Sequence, residues 1–408
     1  MIAHLMQDSA APARVLLITD AYSAWTESFL RCYLQKREVL LYLFPTARFP
    51  EDVAAYERLH GLSVVSYPIR RSLHFADKTG LARIKGYATY LAAWLRVRPQ
   101  ARYDAINVQF VSLGSALLAA KLKSRGTRVL LSFWGSDLFK RSRRFTRLLG
   151  LFFGRDTFFS FDSADLLTEF RRVYGRRYDA RCTVARLGLP LLPLIDRAQA
   201  TQTKADAKRR LGIDPDKTVI AVGYNARPYQ QHEKVLSALA ALPAETKRGV
   251  VILLQMTYCK DADTERYIAA VCRLAGAGGF AVRLLTEYLS DGEVVDVRLA
   301  TDIYINAQVT DALSGSVCEN LYCGNTLLNA AWLTYTEFTE DPPDCIPFQA
   351  FDELPGCVLT ALQKGCRVDA AHNRALIYSL RSWEACAAAW DGAFDRAGIH
   401  LAGEEKQA

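Results

Sequence analysis

Short apolar runs alternate along the chain with longer amphipathic segments, and this alternation predicts the secondary structure. Strands are predicted in the first half at 14–19, 39–44, 62–67, 105–111, 128–133 and 181–187. In the second half they are predicted at 218–222, 250–255, 281–285, 303–306 and 326–328. Strands that alternate with helices in this way predict an α/β protein with parallel, doubly wound sheets.

The stretch 301–329 carries the most informative pattern. A short β-rich run is followed by Asp311 on a polar loop, by the small residues Ser314, Gly315 and Ser316, and by a predicted helix at 316–323 that contains Glu319. In parallel α/β sheets, ligands bind at the loops that follow the strands, and helix N-terminal amides favour phosphate. The alternative is an ordinary βα unit whose two acids are helix-start residues.

The loop after the first strand of the second half contains a cluster of polar and basic residues. Its members are Gly223, Asn225, Arg227, His232 and Lys234. Cations and free backbone amides at a strand end would hold a diphosphate. The alternative is solvated surface charge on a loop.

Other strand ends add candidate residues. Tyr258 and Glu287 follow the next two predicted strands and are included in the candidate ligand-binding set. In the first half, Trp134-Gly135-Ser136-Asp137 follows the strand at 128–133 and is predicted to be a binding loop. The alternative there is a turn with a packed Trp and a capping Asp.

The distribution of charge separates the two halves of the chain. Residues 1–200 carry a net charge of +15, and residues 201–408 carry −7. The polar, Ala-rich segment 194–210 has the composition of a linker, so the domain boundary is predicted near residue 200. The basic half could face nucleic acid, an anionic membrane or a phosphorylated acceptor.

The segment from Lys140 to Phe153 combines clustered cations with apolar residues. Five basic residues alternate there with six large apolar ones, which is typical of an interfacial membrane helix. The alternative is an apolar face that packs on the sheet while the arginines are solvated.

Several classes of protein are disfavoured. No run approaches the roughly 20 apolar residues of a membrane span, and the first 20 residues lack the pattern of a signal peptide. The ten cysteines form no C-x-x-C pair and the six histidines show no H-x-x-x-H spacing, so we expect a cytoplasmic protein with reduced thiols and no bound metal. The first strand is not followed by G-x-G-x-x-G, which disfavours a dinucleotide oxidoreductase.

Taken together, the ordered motifs resemble nucleotide-sugar glycosyltransferases of the two-Rossmann-domain (GT-B) type, especially family 4 and its bacterial polysaccharide relatives. Gly223, Arg227 and the His232/Lys234 region match the family's phosphate motif, and Asp311 and Glu319 match its paired acids with seven residues between them. The resemblance implies two Rossmann-like domains that face across a cleft, here 1–200 for the acceptor and 201–375 for the donor. A C-terminal helix in 376–408 would cross back to the first domain.

The resemblance also implies a mechanism without a cofactor or a metal. Arg227, helped by His232 or Lys234, would stabilise the leaving diphosphate, Glu319 would bind the ribose, and Asp311 would orient the sugar or the phosphate. The spaced acids favour retention of the anomeric configuration. An inverting enzyme would instead need a base in the first domain, for which the candidates are Asp137 and Asp20.

The acceptor implied by the resemblance is a glycan or a polyprenyl-diphosphate-linked glycan, used at the inner face of the plasma membrane in bacterial surface polysaccharide synthesis. Nucleic acid is not an expected partner, because the basic residues form no known nucleic-acid motif. The sequence departs from the family pattern in having Asp311 in place of Glu and in lacking the usual Lys at His232. Alternatives are therefore a non-catalytic scaffold subunit and a nucleotide-sugar epimerase on the same fold.

Overall fold

The structure is a computed structural model that describes most of the chain, with the backbone alone for residues 143–145. The described residues are 11–46, 50–65, 91–92, 94–139, 142–257 and 262–401. They form two compact units, the first comprising the residues up to Gly188 and from Trp383 onward, and the second comprising Leu189–Ser382. These limits differ from the boundaries expected at 200 and 375.

The first boundary differs because the segment expected to be a linker is folded. It forms two helices, α7 (Leu192–Thr201) and α8 (Lys204–Arg210). The Nζ atoms of Lys204 and Lys208 lie 2.9 and 2.8 Å from the carboxylate of Asp302, which precedes a strand of the second sheet. Charge pairing therefore holds an Ala-rich, polar segment against the second unit.

The first unit is built on a seven-stranded parallel sheet in the order β3-β2-β1-β4-β5-β6-β7. Its strands are β1 (Ala13–Thr19), β2 (Val39–Pro45), β3 (Leu62–Val64), β4 (Ala105–Gln109), β5 (Arg128–Phe133), β6 (Thr157–Phe161) and β7 (Cys182–Val184). Its helices include α1 (Ala24–Cys32), α2 (Val53–His60), α3 (Leu113–Leu122), α4 (Ser136–Phe139), α5 (Arg143–Leu149), α6 (Ala164–Tyr174) and α16 (Trp383–Arg396).

The second unit is built on a six-stranded parallel sheet in the order β10-β9-β8-β11-β12-β13. Its strands are β8 (Thr218–Val222), β9 (Val250–Gln255), β10 (Ala281–Leu285), β11 (Ile303–Asn306), β12 (Thr326–Ala330) and β13 (Ile346–Phe348). Its further helices are α9 (His232–Leu239), α10 (Ala244–Arg248), α11 (Ala262–Ala277), α12 (Asp291–Ala300), α13 (Gly315–Cys323), α14 (Leu354–Gln363) and α15 (Ala370–Arg381).

Both sheets are covered on two faces, which is why their strands are almost continuously apolar. In the first unit, Leu16 and Ile18 of β1 belong to one apolar core and Val15 and Leu17 belong to another. Alternate residues of a strand point to opposite faces, so these two cores lie on the two sides of the sheet. The predicted class, parallel doubly wound α/β, is confirmed for each unit.

The C-terminal region, where one helix was expected within 376–408, contains two helices, α15 and α16, which are separated at Ser382. The indole of Trp383 lies against Gly188, where an added Cβ would come within 2.5 Å of the ring, and its Nε1 donates to Ser28 Oγ at 2.6 Å. Trp383 and Trp390 belong to the core that also contains Phe29. Packing in the first unit therefore fixes where the second helix begins.

Candidate active site

The polar residues singled out in the second half gather at one point of the second sheet. β8 and β11 are neighbours, and the strands that follow them in sequence lie on opposite sides of this pair. The loops that leave β8 and β11 therefore separate, and between them lies the crevice in which ligands of such sheets bind. Helices α9 and α13 both begin at this edge, so two helix N-termini are directed toward it.

The loop after β8 begins at Gly223, whose φ is +63°. A Cβ added there would lie 2.7 Å from Nε2 of His232 and 2.8 Å from Oε1 of Gln230, so only glycine fits. Asn225 closes the next turn, because its Oδ1 accepts a hydrogen bond of 3.1 Å from the amide of Arg227. These residues shape the loop that carries Arg227.

Arg227 is the cation that this loop offers to a ligand. Its side chain is half-buried, and its guanidinium makes no hydrogen bond or ion pair with any residue that the structure describes. Lys234 is more exposed and already engaged, since its Nζ donates to Gln231 Oε1 at 2.8 Å and lies 5.4 Å from the ring centroid of Phe351. Of the two predicted cations, Arg227 is the better placed for an anion.

His232 is fully buried at the start of α9. Its Nδ1 lies 3.0 Å from the Tyr267 hydroxyl, and its Nε2 is buried beside Gly223 with no hydrogen bond of good geometry among the described residues. Burial lowers the pKa of His232 to about 4, so the imidazole is neutral at physiological pH. His232 therefore brings a hydrogen-bonding nitrogen to the loop. It does not supply the positive charge that a lysine would supply at this position.

Asp311 lies on the loop after β11 and fixes the start of α13. Its Oδ2 accepts hydrogen bonds from the Ser314 amide at 3.0 Å and from the Tyr335 hydroxyl at 2.8 Å. Ser314 is the N-cap residue of α13, yet its Oγ makes no capping bond and is buried without a partner among the described residues. The first amides of α13, at Gly315 and Ser316, and the Ser314 hydroxyl are thus available for an anionic ligand.

A buried chain of side chains joins the two loops. Gln230 Nε2 donates to Gln308 Oε1 at 3.0 Å, Gln308 Nε2 donates to Asn306 Oδ1 at 3.2 Å, and Asn306 Nδ2 donates to the Tyr335 hydroxyl at 2.9 Å. Tyr335 then donates to Asp311. The conformation of the loop after β8 is therefore linked to the orientation of the Asp311 carboxylate by hydrogen bonds that are shielded from water.

Glu319 lies one turn inside α13 and is 7% exposed. Its Oε2 accepts a hydrogen bond of 2.9 Å from Nε of Arg298, which is 5% exposed and also donates to Gln255 Oε1 at 3.2 Å. Burial raises the pKa of the Glu319 carboxyl, and the Arg298 guanidinium opposes that rise. Oε1 makes no hydrogen bond with the described residues, so one oxygen of this carboxylate is left for a ligand.

Three of these groups could not be recognised from the sequence. Tyr335 and Gln308 carry neither charge nor motif, and Arg298 lies in an amphipathic helix where an arginine indicates a solvated surface. The packing of α12 against α13 brings Arg298 to Glu319. The packing of the loop after β12 against the loop after β11 brings Tyr335 to Asp311 and places Gln308 nearby.

The other predicted donor-site residues have different outcomes. Tyr258 lies outside the described residues. Glu287 is exposed on the loop after β10, the edge strand, and β9 separates that strand from β8. Glu287 therefore follows a strand that lies two positions away from β8 in the sheet.

Asp137, a candidate base, lies in the first unit and is 1% exposed. Its carboxylate accepts hydrogen bonds from the amides of Val111 at 2.9 Å, Trp134 at 3.1 Å and Gly135 at 2.8 Å. Burial raises the pKa of Asp137 to about 6, and these amides oppose the rise. The carboxylate holds two loops together, and this use of its oxygens does not favour a role as a base for a substrate.

The segment from Lys140 to Phe153 is only partly described, since Lys140 and Arg141 lie outside the described residues. Phe152 and Phe153 pack against the core of the first unit, and Leu149 is fully buried, whereas Leu148 and Leu151 are exposed. Much of the apolar face therefore packs on the protein. Among the helices that the structure describes, none has the length and apolar character needed to cross a membrane.

Two doubly wound parallel sheets, with a polar crevice at the switch point of the second, define the two-Rossmann-unit class known as GT-B. Solved structures of this class resemble the whole chain. Anabaena Alr3699/HepE, in complex with UDP and glucose, has a TM-score of 0.65 at 14% identity, over 94% of this chain and 99% of that chain. Sucrose-phosphate synthase from Thermosynechococcus elongatus has a TM-score of 0.64 at 13% identity, over 94% and 98%.

A third neighbour is WaaG, a glycosyltransferase involved in lipopolysaccharide biosynthesis. It has a TM-score of 0.58 at 15% identity, over 94% of this chain and 100% of that chain. The sequence itself matches no protein-family model and no curated protein. At these identities the likeness establishes the fold, and the chemistry has to be argued from the site.

Proposed function

We propose that this protein is a glycosyltransferase that binds a nucleotide-diphosphate sugar at the switch point of its second unit. The observation that carries the proposal is that two loops leave the same edge of the sheet, after β8 and after β11. One carries Arg227, whose guanidinium has no partner among the described residues, and the other leads to the N-terminus of α13, where the Ser314 side chain makes no capping bond. A guanidinium and helix amides are groups that bind a diphosphate. Neighbours of the same fold are glycosyltransferases, one of them in complex with UDP and glucose.

The same groups would serve the transfer step. As the bond from the anomeric carbon to the diphosphate breaks, negative charge develops on the leaving oxygen. Arg227 and the amides of Gly315 and Ser316 would stabilise that charge, which is electrostatic catalysis by groups already in place. Asp311, held by Tyr335, would orient the sugar, and Oε1 of Glu319 would accept a hydrogen bond from a ribose hydroxyl.

The finer features of the activity belong to the same proposal. The spaced acids Asp311 and Glu319 favour transfer with retention. The carboxylate of Asp137 already accepts hydrogen bonds from backbone amides, which does not favour the base that an inverting enzyme would need. The acceptor is a glycan or polyprenyl-diphosphate-linked glycan of a bacterial surface polysaccharide. The basic segment that ends at Phe153 would contact the anionic inner face of the plasma membrane, with Leu148 and Leu151 as its exposed apolar residues.

A thermal-shift panel of UDP, GDP, dTDP and ADP tests the donor site. We expect one nucleotide to stabilise the wild-type protein selectively. The stabilisation should fall in Arg227→Ala and in Ser314→Ala, because these changes remove groups that no described residue needs for its own hydrogen bonding. Loss of hydrogen bonds to a charged ligand costs about 1.5–3 kcal/mol, which is roughly a tenfold to hundredfold loss of affinity.

The matched control is Arg248→Ala. Arg248 is an exposed arginine at the end of α10, and only Gly249 separates it from β9, so it lies at the amino-terminal edge of the same sheet. Nucleotide binding should survive that change. If no nucleotide stabilises the protein at millimolar concentration, the donor site is refuted. If a nucleotide binds but no activated sugar is hydrolysed or transferred, the scaffold alternative replaces the enzyme.

A further inference from the structure

Three aromatic side chains meet at the carboxyl-terminal edge of the first sheet. Trp25 lies in the first turn of α1, Phe110 directly follows β4, and Trp134 directly follows β5. The ring centroids of Phe110 and Trp134 are 6.0 Å apart, and those of Trp25 and Trp134 are 6.5 Å apart. All three side chains are part-exposed. β1 and β4 are neighbours in the sheet, so this aromatic cluster lies at the switch point of the first unit.

Buried polar groups hold two of these rings in place. The buried carboxylate of Asp137 accepts from the amide of Val111, next to Phe110, and from the amides of Trp134 and Gly135. It therefore ties the loop after β4 to the loop after β5. A buried carboxylate is costly, and no ligand contact is needed to explain it, since its hydrogen bonds fix the two loops that carry Phe110 and Trp134.

The indole of Trp134 is also fixed directly. Its Nε1 donates to Oε1 of Gln109 at 2.6 Å, Gln109 Nε2 donates to Asn107 Oδ1 at 2.6 Å, and Asn107 Nδ2 donates to Ser132 Oγ at 2.8 Å. Gln109, Asn107 and Ser132 are all buried. The chain of hydrogen bonds orients a ring that packing alone leaves part-exposed, which is the form of a pre-organised binding site.

The backbone at Phe110 adds a second, independent observation. Its φ is +61°, in the left-handed region that a bulky aromatic residue rarely adopts. Such strain persists where the surrounding structure enforces it, and it concentrates at binding sites. Despite this strain, the Phe110 side chain is only partly buried. The strain thus presents a ring at the sheet edge and does little for the core.

We propose that the aromatic cluster of Trp25, Phe110 and Trp134 binds a hexopyranose ring of the acceptor glycan, an inference that rests on the proposed function. A pyranose offers a face of C–H groups to an aromatic ring and keeps its hydroxyls for water and polar side chains. The interplanar angles of 73° and 62° form a corner and not the parallel slot that a flat nucleobase would need.

Asp20 supplies a polar group at the same place. It follows β1 directly, and Ile18 of β1 pairs with Val108 of β4, so Asp20 and Phe110 both lie two residues beyond this pair at the same edge of the sheet. A carboxylate next to an aromatic corner would accept hydrogen bonds from the equatorial hydroxyls of a bound sugar. Asp20 thereby selects a neutral, hydroxylated ring over a second anion.

The test is binding of a glycan array to the full chain without nucleotide, followed by saturation-transfer NMR on the strongest glycan. The decisive variant is Phe110→Gly. It removes the ring and relieves a left-handed φ, so it should leave the melting temperature unchanged or raised. We expect glycan affinity to fall at least about tenfold in Phe110→Gly and in Trp25→Ala, the range expected for loss of one well-placed aromatic contact.

The matched control is Cys366→Gly, which makes the same backbone change at φ +54° after α14 in the second unit and should leave glycan binding intact. No glycan bound by the wild type, or equal binding by wild type and Phe110→Gly, overturns the proposal. Nucleotide binding in the second unit is measured separately. If the protein binds glycan through these rings but binds no nucleotide, the proposed function is refuted and the glycan site is still supported.

Discussion

The hydroxyl of Tyr335 donates a hydrogen bond of 2.8 Å to Oδ2 of Asp311 and accepts one of 2.9 Å from Nδ2 of Asn306. Burial, together with the Asp311 charge, raises the pKa of Tyr335 well above its ordinary value, so the phenol remains a donor. Asp311 stands where the resembling family has the longer Glu. We infer that Tyr335 fixes the shorter carboxylate in the position from which it would reach a donor sugar.

Replacement of Tyr335 by Phe should separate sugar recognition from nucleotide recognition. The change keeps the ring and removes the hydroxyl, so Asp311 loses one of its two hydrogen bonds. We expect roughly tenfold weaker binding of UDP-glucose with little change for UDP, or the same split for whichever nucleotide the panel selects, since a hydrogen bond to a charged group contributes about 1.5–3 kcal/mol. Isothermal titration measures both. Tyr378→Phe, on an exposed face of α15, is the control, and equal losses for both ligands would contradict a role in orienting the sugar.

Glu319→Ala should lower the stability of the protein even in the absence of a ligand. Removal of the carboxylate leaves the buried guanidinium of Arg298 without its ionic partner. Breaking a buried ion pair in this way costs about 3–5 kcal/mol. Thermal unfolding should therefore show a drop of at least about 6 °C for a unit of this size. Asp263→Ala breaks the exposed pair with Arg266 and should cost under about 1 kcal/mol. A Glu319→Ala protein as stable as the control would show that Arg298 finds water or another partner.

Gly223→Ala should impair both the second unit and its ligand site. The added methyl would meet His232 Nε2 and Gln230 Oε1 at under 3 Å, and the φ of +63° is unfavourable for alanine. We expect a loss of about 1–3 kcal/mol in the free energy of unfolding and at least tenfold weaker nucleotide binding.

The control for that change is Gly356→Ala in α14, where an added Cβ meets nothing within 4 Å. It should leave the protein as stable or stabilise it by about 0.5–1 kcal/mol. Denaturant titration compares the two variants. Full nucleotide affinity in Gly223→Ala would place the diphosphate elsewhere.

Stability should depend on pH through Asp137. Burial raises the pKa of Asp137 to about 6, whereas an unfolded Asp titrates near 3.9. Between about pH 4 and 6 the folded protein keeps a proton that the unfolded chain has released, so this group makes the free energy of unfolding fall as pH rises. The contribution is about 3 kcal/mol over the window and is constant above it.

Asp137→Asn removes that titration, so the difference in stability between wild type and variant should change with pH between about 4 and 6 and be constant above. Denaturant titrations at several pH values measure it. Asp352→Asn, an exposed carboxylate in the second unit, is the control and should leave the slope unchanged. Parallel pH curves for wild type and Asp137→Asn would mean that Asp137 is ionised throughout.

The strands that sequence alone placed best are those with a short apolar run between polar breakers. The predicted limits of β5, β8, β9, β10 and β11 are those of the structure. β6 was missed although Gly154-Arg155-Asp156 separates its apolar run, Thr157–Phe161, from the aromatic stretch around Phe152. β13 was missed because three residues, Ile346–Phe348, give no periodicity to detect.

A capping box of Ser290 and Glu293 begins α12, and such a motif can be read from the sequence because it depends on residues three positions apart. The end of α15 was not predicted. It depends on Trp383, whose indole must reach Ser28 and Gly188, and those contacts are distant in sequence.

Because apolar periodicity and glycine positions are local properties, the sequence was enough to identify the residues that stand at the ends of parallel strands. It therefore brought Gly223, Arg227, Ser314, Asp311 and Glu319 forward as one candidate site. Tertiary structure alone decided what state those groups are in. Burial makes His232 neutral, Arg298 takes one oxygen of Glu319, Tyr335 holds Asp311, and three backbone amides occupy Asp137. Desolvation and hydrogen-bond partners come from residues far apart in the chain, and no local pattern encodes them.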